Sequence, residues 1–157
     1  MTDRIDEILA IEDPTQFAIA LSDHVFGRPG EDGLSGLTEA EQTVYCIAGL
    51  ERDVNNGGFA QFFFNSSGDQ ARETVAALRR ISAAHTAGLL ERAMTPFGSA
   101  GPSRDYQERR QQLRQLEKSA APLWHELDDA FYKYEDDLTG LLRAYVRSKR
   151  DQFPTRS

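Results

Sequence analysis

The sequence predicts an all-α protein, a single compact domain of about eight helices. Two observations predict it: apolar residues return at i, i+3 and i+4 along most of the chain, and two Thr- or Ser-led capping boxes open helical stretches. At 157 residues, 39% hydrophobic and 27% charged, the chain suits one buried core rather than disorder.

The elements follow in order. Ile5, Ile8 and Leu9 form a first short stripe, and Asp13-Pro14 is a stop-and-restart signal because Pro suits a first helical turn. Phe17, Ala20, Leu21, His24 and Val25 share a face of the next helix, which Gly27 to Gly33 ends in a loop running to Leu37. Thr38-Glu39-Ala40-Glu41 is a capping box for a helix that carries Val44, Ile47, Ala48 and Val54 inward and ends near Asp53. A buried strand over Tyr45 to Leu50 competes, but the cap and the length favour helix. Asn55-Asn56-Gly57-Gly58 forces a turn, since these residues accept positive φ at least cost. Phe59, Phe62 and Phe63 then repeat at helical spacing. Ser67 and Gln70 fit a second capping box, opening a long region with Val75, Leu78, Ile81, Leu89 and Leu90 and a break near Ser82. Thr95 to Arg104, rich in Pro, Gly and Ser, reads as a loop between halves of one domain. Pro122 suits the first turn of another helix, along which Trp124, Leu127, Phe131 and Tyr134 are spaced. Leu138, Leu141, Leu142, Tyr145 and Val146 make the last amphipathic helix.

Charge is distributed unevenly. Residues 1–53 hold twelve Asp/Glu against three Lys/Arg, a balance of −9, while residues 54–157 hold thirteen against fifteen. An acidic first third argues against nucleic acid or an anionic membrane as direct partner, both being polyanions, and permits a basic protein. No apolar run is long enough to span a bilayer. The acidic start is unlike a signal peptide, and the lone Cys46 excludes an intramolecular disulfide, so the expected setting is the reducing cytoplasm.

The sequence carries no recognisable catalytic, metal or cofactor motif. His125-Glu126-Leu127-Asp128-Asp129 is half of a zinc-protease helix, with Asp129 where the second His would stand. His24 and His85 lack ligand spacing, and Cys46 lies on an apolar face as a core residue. The most distinctive stretch is Glu51 to Asn65, which sets Asn55, Asn56, Gln61 and Asn65 around an aromatic cluster across the Gly57-Gly58 corner. It reads either as a small polar recognition pocket or as a structural corner whose amides satisfy backbone groups. The corner reading is favoured, because amides and one carboxylate supply no nucleophile and base.

Glu51 to Asp69 resembles the signature of the bacterial DNA-mimic protein domain family, of the DNA mimic protein 19 type. Ala77 to Ile81, Asp105 with Arg109, and Leu127 to Tyr132 are similar to later stations of that pattern; Ser82 stands where the family tends to have Gly. The resemblance divides the chain into N-terminal acidic helices and loop (1–37) packed on the same domain, a DNA-mimic-like helical domain (38–148) and a polar tail (149–157). It implies an all-α fold, a homodimer, and an acidic surface that occupies a basic DNA-binding protein, a transcriptional regulator or nucleoid protein, in place of DNA. The partner-binding carboxylates are then expected at Glu31, Asp32, Glu39, Glu41, Glu51 and Asp53. A helix from Thr38 to Asp53 is about 24 Å long, whereas duplex DNA of that length carries about 14 phosphate charges, so mimicry needs acids from several helices or two subunits. A generic interaction or immunity module that binds by shape is the alternative, and an enzyme built on Glu51 ranks last.

Overall fold

The computed structural model describes residues 3–27 and 33–154. Among them seven α-helices and no β-strand occur: α1 (Arg4–Leu9), α2 (Pro14–Phe26), α3 (Glu39–Phe64), α4 (Ala71–Arg80), α5 (Ala84–Met94), α6 (Tyr106–Tyr132) and α7 (Leu138–Ser148). Short 3-10 turns at Leu34–Gly36, Ser66–Gln70 and Thr95–Phe97 lie between helices, and a fourth at Arg150–Gln152 follows α7. The all-α architecture follows the periodicity of the sequence. No helix among the described residues is long and apolar enough to cross a membrane.

The central element is α3, against which α2, α4 and α6 all pack. Its Val44, Ile47, Leu50, Val54, Phe59, Phe62 and Phe63 are fully buried, and Phe63 meets Phe97 edge-on with ring centroids 4.9 Å apart. The Thr38 capping box forms as expected: Glu41 N–H donates to Thr38 Oγ1 at 3.1 Å and Thr38 N–H to Glu41 Oε1 at 3.0 Å. Asp13 caps α2 from the residue before Pro14.

Three expectations change. The second capping box does not form. Ser66–Gln70 is a 3-10 turn, α4 begins at Ala71 without a side-chain cap, and the Ser67 hydroxyl instead accepts from Arg52 Nη2 at 2.9 Å. Pro122, expected to open a helix, instead lies inside the 27-residue α6. Pro122 cannot donate to the carbonyl of Lys118, but both residues are exposed, so that carbonyl is left to water rather than buried. The polar tail is also partly structural: Phe153 is buried, and Gln152 accepts from Thr38 Oγ1 at 2.7 Å and from Ala40 N–H at 3.0 Å, over the first turn of α3.

Candidate functional site

The corner of α3 is built by two glycines. Gly57 (φ −157°, ψ 20°) and Gly58 (φ 76°, ψ −175°) leave helical geometry, so a first segment to Asn56 and a second from Phe59 meet at a kink. Such a break frees backbone groups, and α6 supplies their partners. The Asp128 carboxylate accepts from the N–H of Phe59 at 2.8 Å, capping the second segment from another helix. Tyr132 donates its hydroxyl to the carbonyl of Val54 at 2.8 Å, an acceptor that a regular helix pairs with the N–H of Gly58. Burial holds the Asp128 carboxyl above its ordinary range, against the bond from Phe59, which lowers it.

A second polar set lies one turn earlier. Asn55 Nδ2 donates to the Tyr134 hydroxyl at 2.8 Å, and that hydroxyl donates to Glu51 Oε2 at 3.3 Å. Tyr134 takes up φ 47°, which turns its ring onto this group. Burial pushes the Glu51 carboxyl up to about 7, the Tyr134 bond opposing it. Burial first, and then the Glu51 charge, push the Tyr134 phenol up to about 12.

The far end of the second segment is closed by Arg109, which is fully buried. Its Nε donates to the carbonyl of Phe63 at 2.7 Å, Nη2 to that of Asn65 at 2.9 Å and Nη1 to that of Ser103 at 2.9 Å, with Asp69 Oδ1 2.8 Å from Nη2. One planar guanidinium thereby satisfies carbonyls left over at a helix C-terminus.

A family model described as DMP19-like protein matches residues 35–149, a stretch that contains every residue of this arrangement. The chain belongs to the DMP19-like family. Neither a search of curated proteins nor one of solved structures finds a match. The DMP19-like stretch thus begins just before the Thr38 cap and closes at Lys149, the residue that follows α7.

The structure separates the carboxylates expected to bind a partner. Glu31 and Asp32 lie outside the described residues. Glu39 is exposed, beside Arg80 at 3.5 Å. Glu41 and Asp53 are buried at 0% and 1% exposure, which removes both from any contact surface. Glu41 serves the cap, and Asp53 accepts from Asn65 Nδ2 at 3.1 Å and Arg52 Nε at 3.4 Å. Helical periodicity explains the correction: positions 41, 44 and 48 share a stripe, and positions 47, 50 and 54 carry Asp53 inward beside them. Glu51 is half-buried and opens on a cleft.

The corner amides have structural work. Besides Asn55 on Tyr134 and Asn65 on Asp53, Asn56 Nδ2 donates to Gln61 Oε1 at 3.1 Å. Asp128, Tyr132 and Tyr134 complete the corner. Cys46 lies in the core, its thiol pushed up to about 11 by burial. Among the described residues no group of three or more His, Cys, Asp or Glu is placed to hold a metal ion.

Proposed function

We propose that this DMP19-like chain is a non-enzymatic cytoplasmic protein that binds a basic DNA-binding protein, a transcriptional regulator or nucleoid protein, in competition with DNA. Membership of the family carries this reading, and the net charge of −7 agrees with it. The corner supports a non-enzymatic role, because its carboxylates and amides are committed to capping and to one another rather than to a nucleophile and base.

The geometry restricts which acids can act. With Glu41 and Asp53 inside, the first segment of α3 offers only Glu39 as an exposed carboxylate, and the proposed surface adds Glu7 of α1, Glu12 of the turn between α1 and α2, Asp23 of α2 and the same acids of a second copy of the chain. Binding of this kind is electrostatic, with carboxylates occupying Lys and Arg groups that otherwise meet phosphates. A gel-shift competition tests it, with the partner isolated on this protein from its native host, loaded on its own DNA, and the protein titrated in. DNA is released in a dose-dependent way, less so as salt rises and less by the Glu12→Lys/Glu39→Lys double variant at unchanged melting temperature. DNA that stays bound at every concentration refutes the decoy.

In that event the shape-reading module takes its place. One observation already favours it: several exposed acids stand beside an arginine, as in Glu7–Arg4, Glu39–Arg80, Glu91–Arg79 and Glu126–Arg92. Such pairing breaks up a continuous negative band.

A further inference from the structure

Between α2 and the first segment of α3 lies a cleft of about 300 Å³, closed at one end by α7. Phe17, Leu21, Phe26, Val44, Ala48 and Leu142 make its walls, and Ile19, half-exposed, stands at its rim. This volume is at the low end for ligand pockets, which run from about 300 to 1,000 Å³.

One acid is set in this apolar surface. Glu51 uses Oε2 for the Tyr134 hydroxyl, and its Oε1 has no hydrogen-bond partner among the described residues. The cation next to it is already engaged. Arg52 reaches Asp53 and Ser67 and lies over the Phe26 ring at 5.0 Å, so its charge is committed away from Glu51. Asp23, on the α2 side, adds a second carboxylate to the lining. The cleft is therefore apolar in its walls, and its polar end carries the Glu51 and Asp23 carboxylates against the single, already engaged cation of Arg52.

We propose that this cleft is a binding site for a small organic cation, a primary ammonium on a short apolar body, whose charge sits on Glu51 and whose body lies along the accessible surface of Ile19 and Phe26. The ammonium restores to the Glu51 carboxylate the stabilisation that burial removes, and the apolar body covers wall surface that water now meets. Burial pushes the Glu51 carboxyl up to about 7, so the cation meets a full charge above that pH and less of it below. Binding weakens as pH falls through the neutral range. The other charged groups around the cleft are Asp23 on α2, Arg52 and Asp53 on α3, Tyr134 before α7, Asp137 at the α7 N-terminus, and Arg143, which stacks on Phe17 and is held by the carbonyls of Leu9 and Ile11. The site stands independently of competition with DNA: the amine titration uses no partner protein, so either idea can fail alone.

The test is a titration of the full chain followed by amide NMR shifts, with n-hexylamine as probe and 1-hexanol as its neutral match. Hexylamine should shift amides of α2 and of residues 51–55 saturably, at least tenfold more tightly than hexanol at pH 8. Glu51→Gln should abolish that preference while circular dichroism and melting show the fold retained. Hexanol binding as tightly as the amine, or a preference that survives Glu51→Gln, overturns the proposal, as does the absence of any shift. A lysine tripeptide with blocked ends serves as the last arm. If it binds these amides more tightly than hexylamine, the cleft receives a protein side chain and the small-ligand assignment is wrong.

Discussion

At position 58 a side chain would meet two obstacles. The backbone there has φ 76°, which glycine alone adopts at little cost, and a Cβ would run into the Asp128 carboxylate that caps Phe59. Gly58→Ala should therefore lower stability by about 2–3 kcal/mol, read as a fall of roughly 5–10 °C in thermal circular dichroism. At Gly57 the added Cβ would meet Gln61, whose amide can rotate away but whose Cβ, 2.9 Å off, cannot, so Gly57→Ala should also lower stability although it carries no positive-φ strain. Adding Asp128→Ala to Gly58→Ala removes the clash and leaves the φ strain, so the double variant should lose less than the two singles combined. A Gly58→Ala protein that melts like the native one would show that the corner is not built this way. The need for positive φ was legible in Asn55-Asn56-Gly57-Gly58, because only a few residue types tolerate it. Asp128 was not legible as the cap. Capping signals read from sequence are local, and this one crosses from a helix 69 positions away.

Helix ends decide the next scale. Local chemistry gave the starts of α2 and α3, where Asp13 and the Thr38–Glu41 pair cap residues three positions away. It misled at Ser67, whose hydroxyl is taken by Arg52, and at Pro122, where exposure of the turn makes a missing N–H tolerable. The end of α3 is again a long-range matter, since Arg109 arrives from α6 to bind carbonyls of Phe63 and Asn65. Replacing it with Met keeps the bulk but orphans those acceptors and leaves Asp69 without its cation, so Arg109→Met should cost about 3–5 kcal/mol. Arg109→Lys should recover only part of this, because an ammonium cannot reproduce the planar fork. Urea unfolding measures both, and a native midpoint for the Met variant would remove Arg109 from the account of α3.

For the whole molecule, the excess acid of residues 1–53 suggested a surface, but counting charges along a chain does not say where they point. Much of that acid is internal or local: Glu41 and Asp53 are buried, Asp13 caps α2, and Asp3 and Asp6 pair with Arg150 from the other end of the chain. These last pairs belong to a larger arrangement in which C-terminal cations hold the N-terminal helices in place. Arg143 on α7 is its half-buried part. It donates to the carbonyls of Leu9 at 2.9 Å and Ile11 at 2.7 Å, so it closes the end of α1 and the turn into α2, while its guanidinium lies 4.0 Å over the ring of Phe17. Charged hydrogen bonds of this type contribute about 1.5–3 kcal/mol, and the ring contact adds about 0.5–2. Arg143→Ala removes both, but it touches neither the corner nor the Arg109 cap, so the loss should fall on α1 and α2. The expected result is faster amide hydrogen exchange across residues 4–26, with exchange in the second segment of α3 and in α6 unchanged. Faster exchange throughout the chain would instead mean that the N-terminal helices and the DMP19-like core open as one cooperative unit.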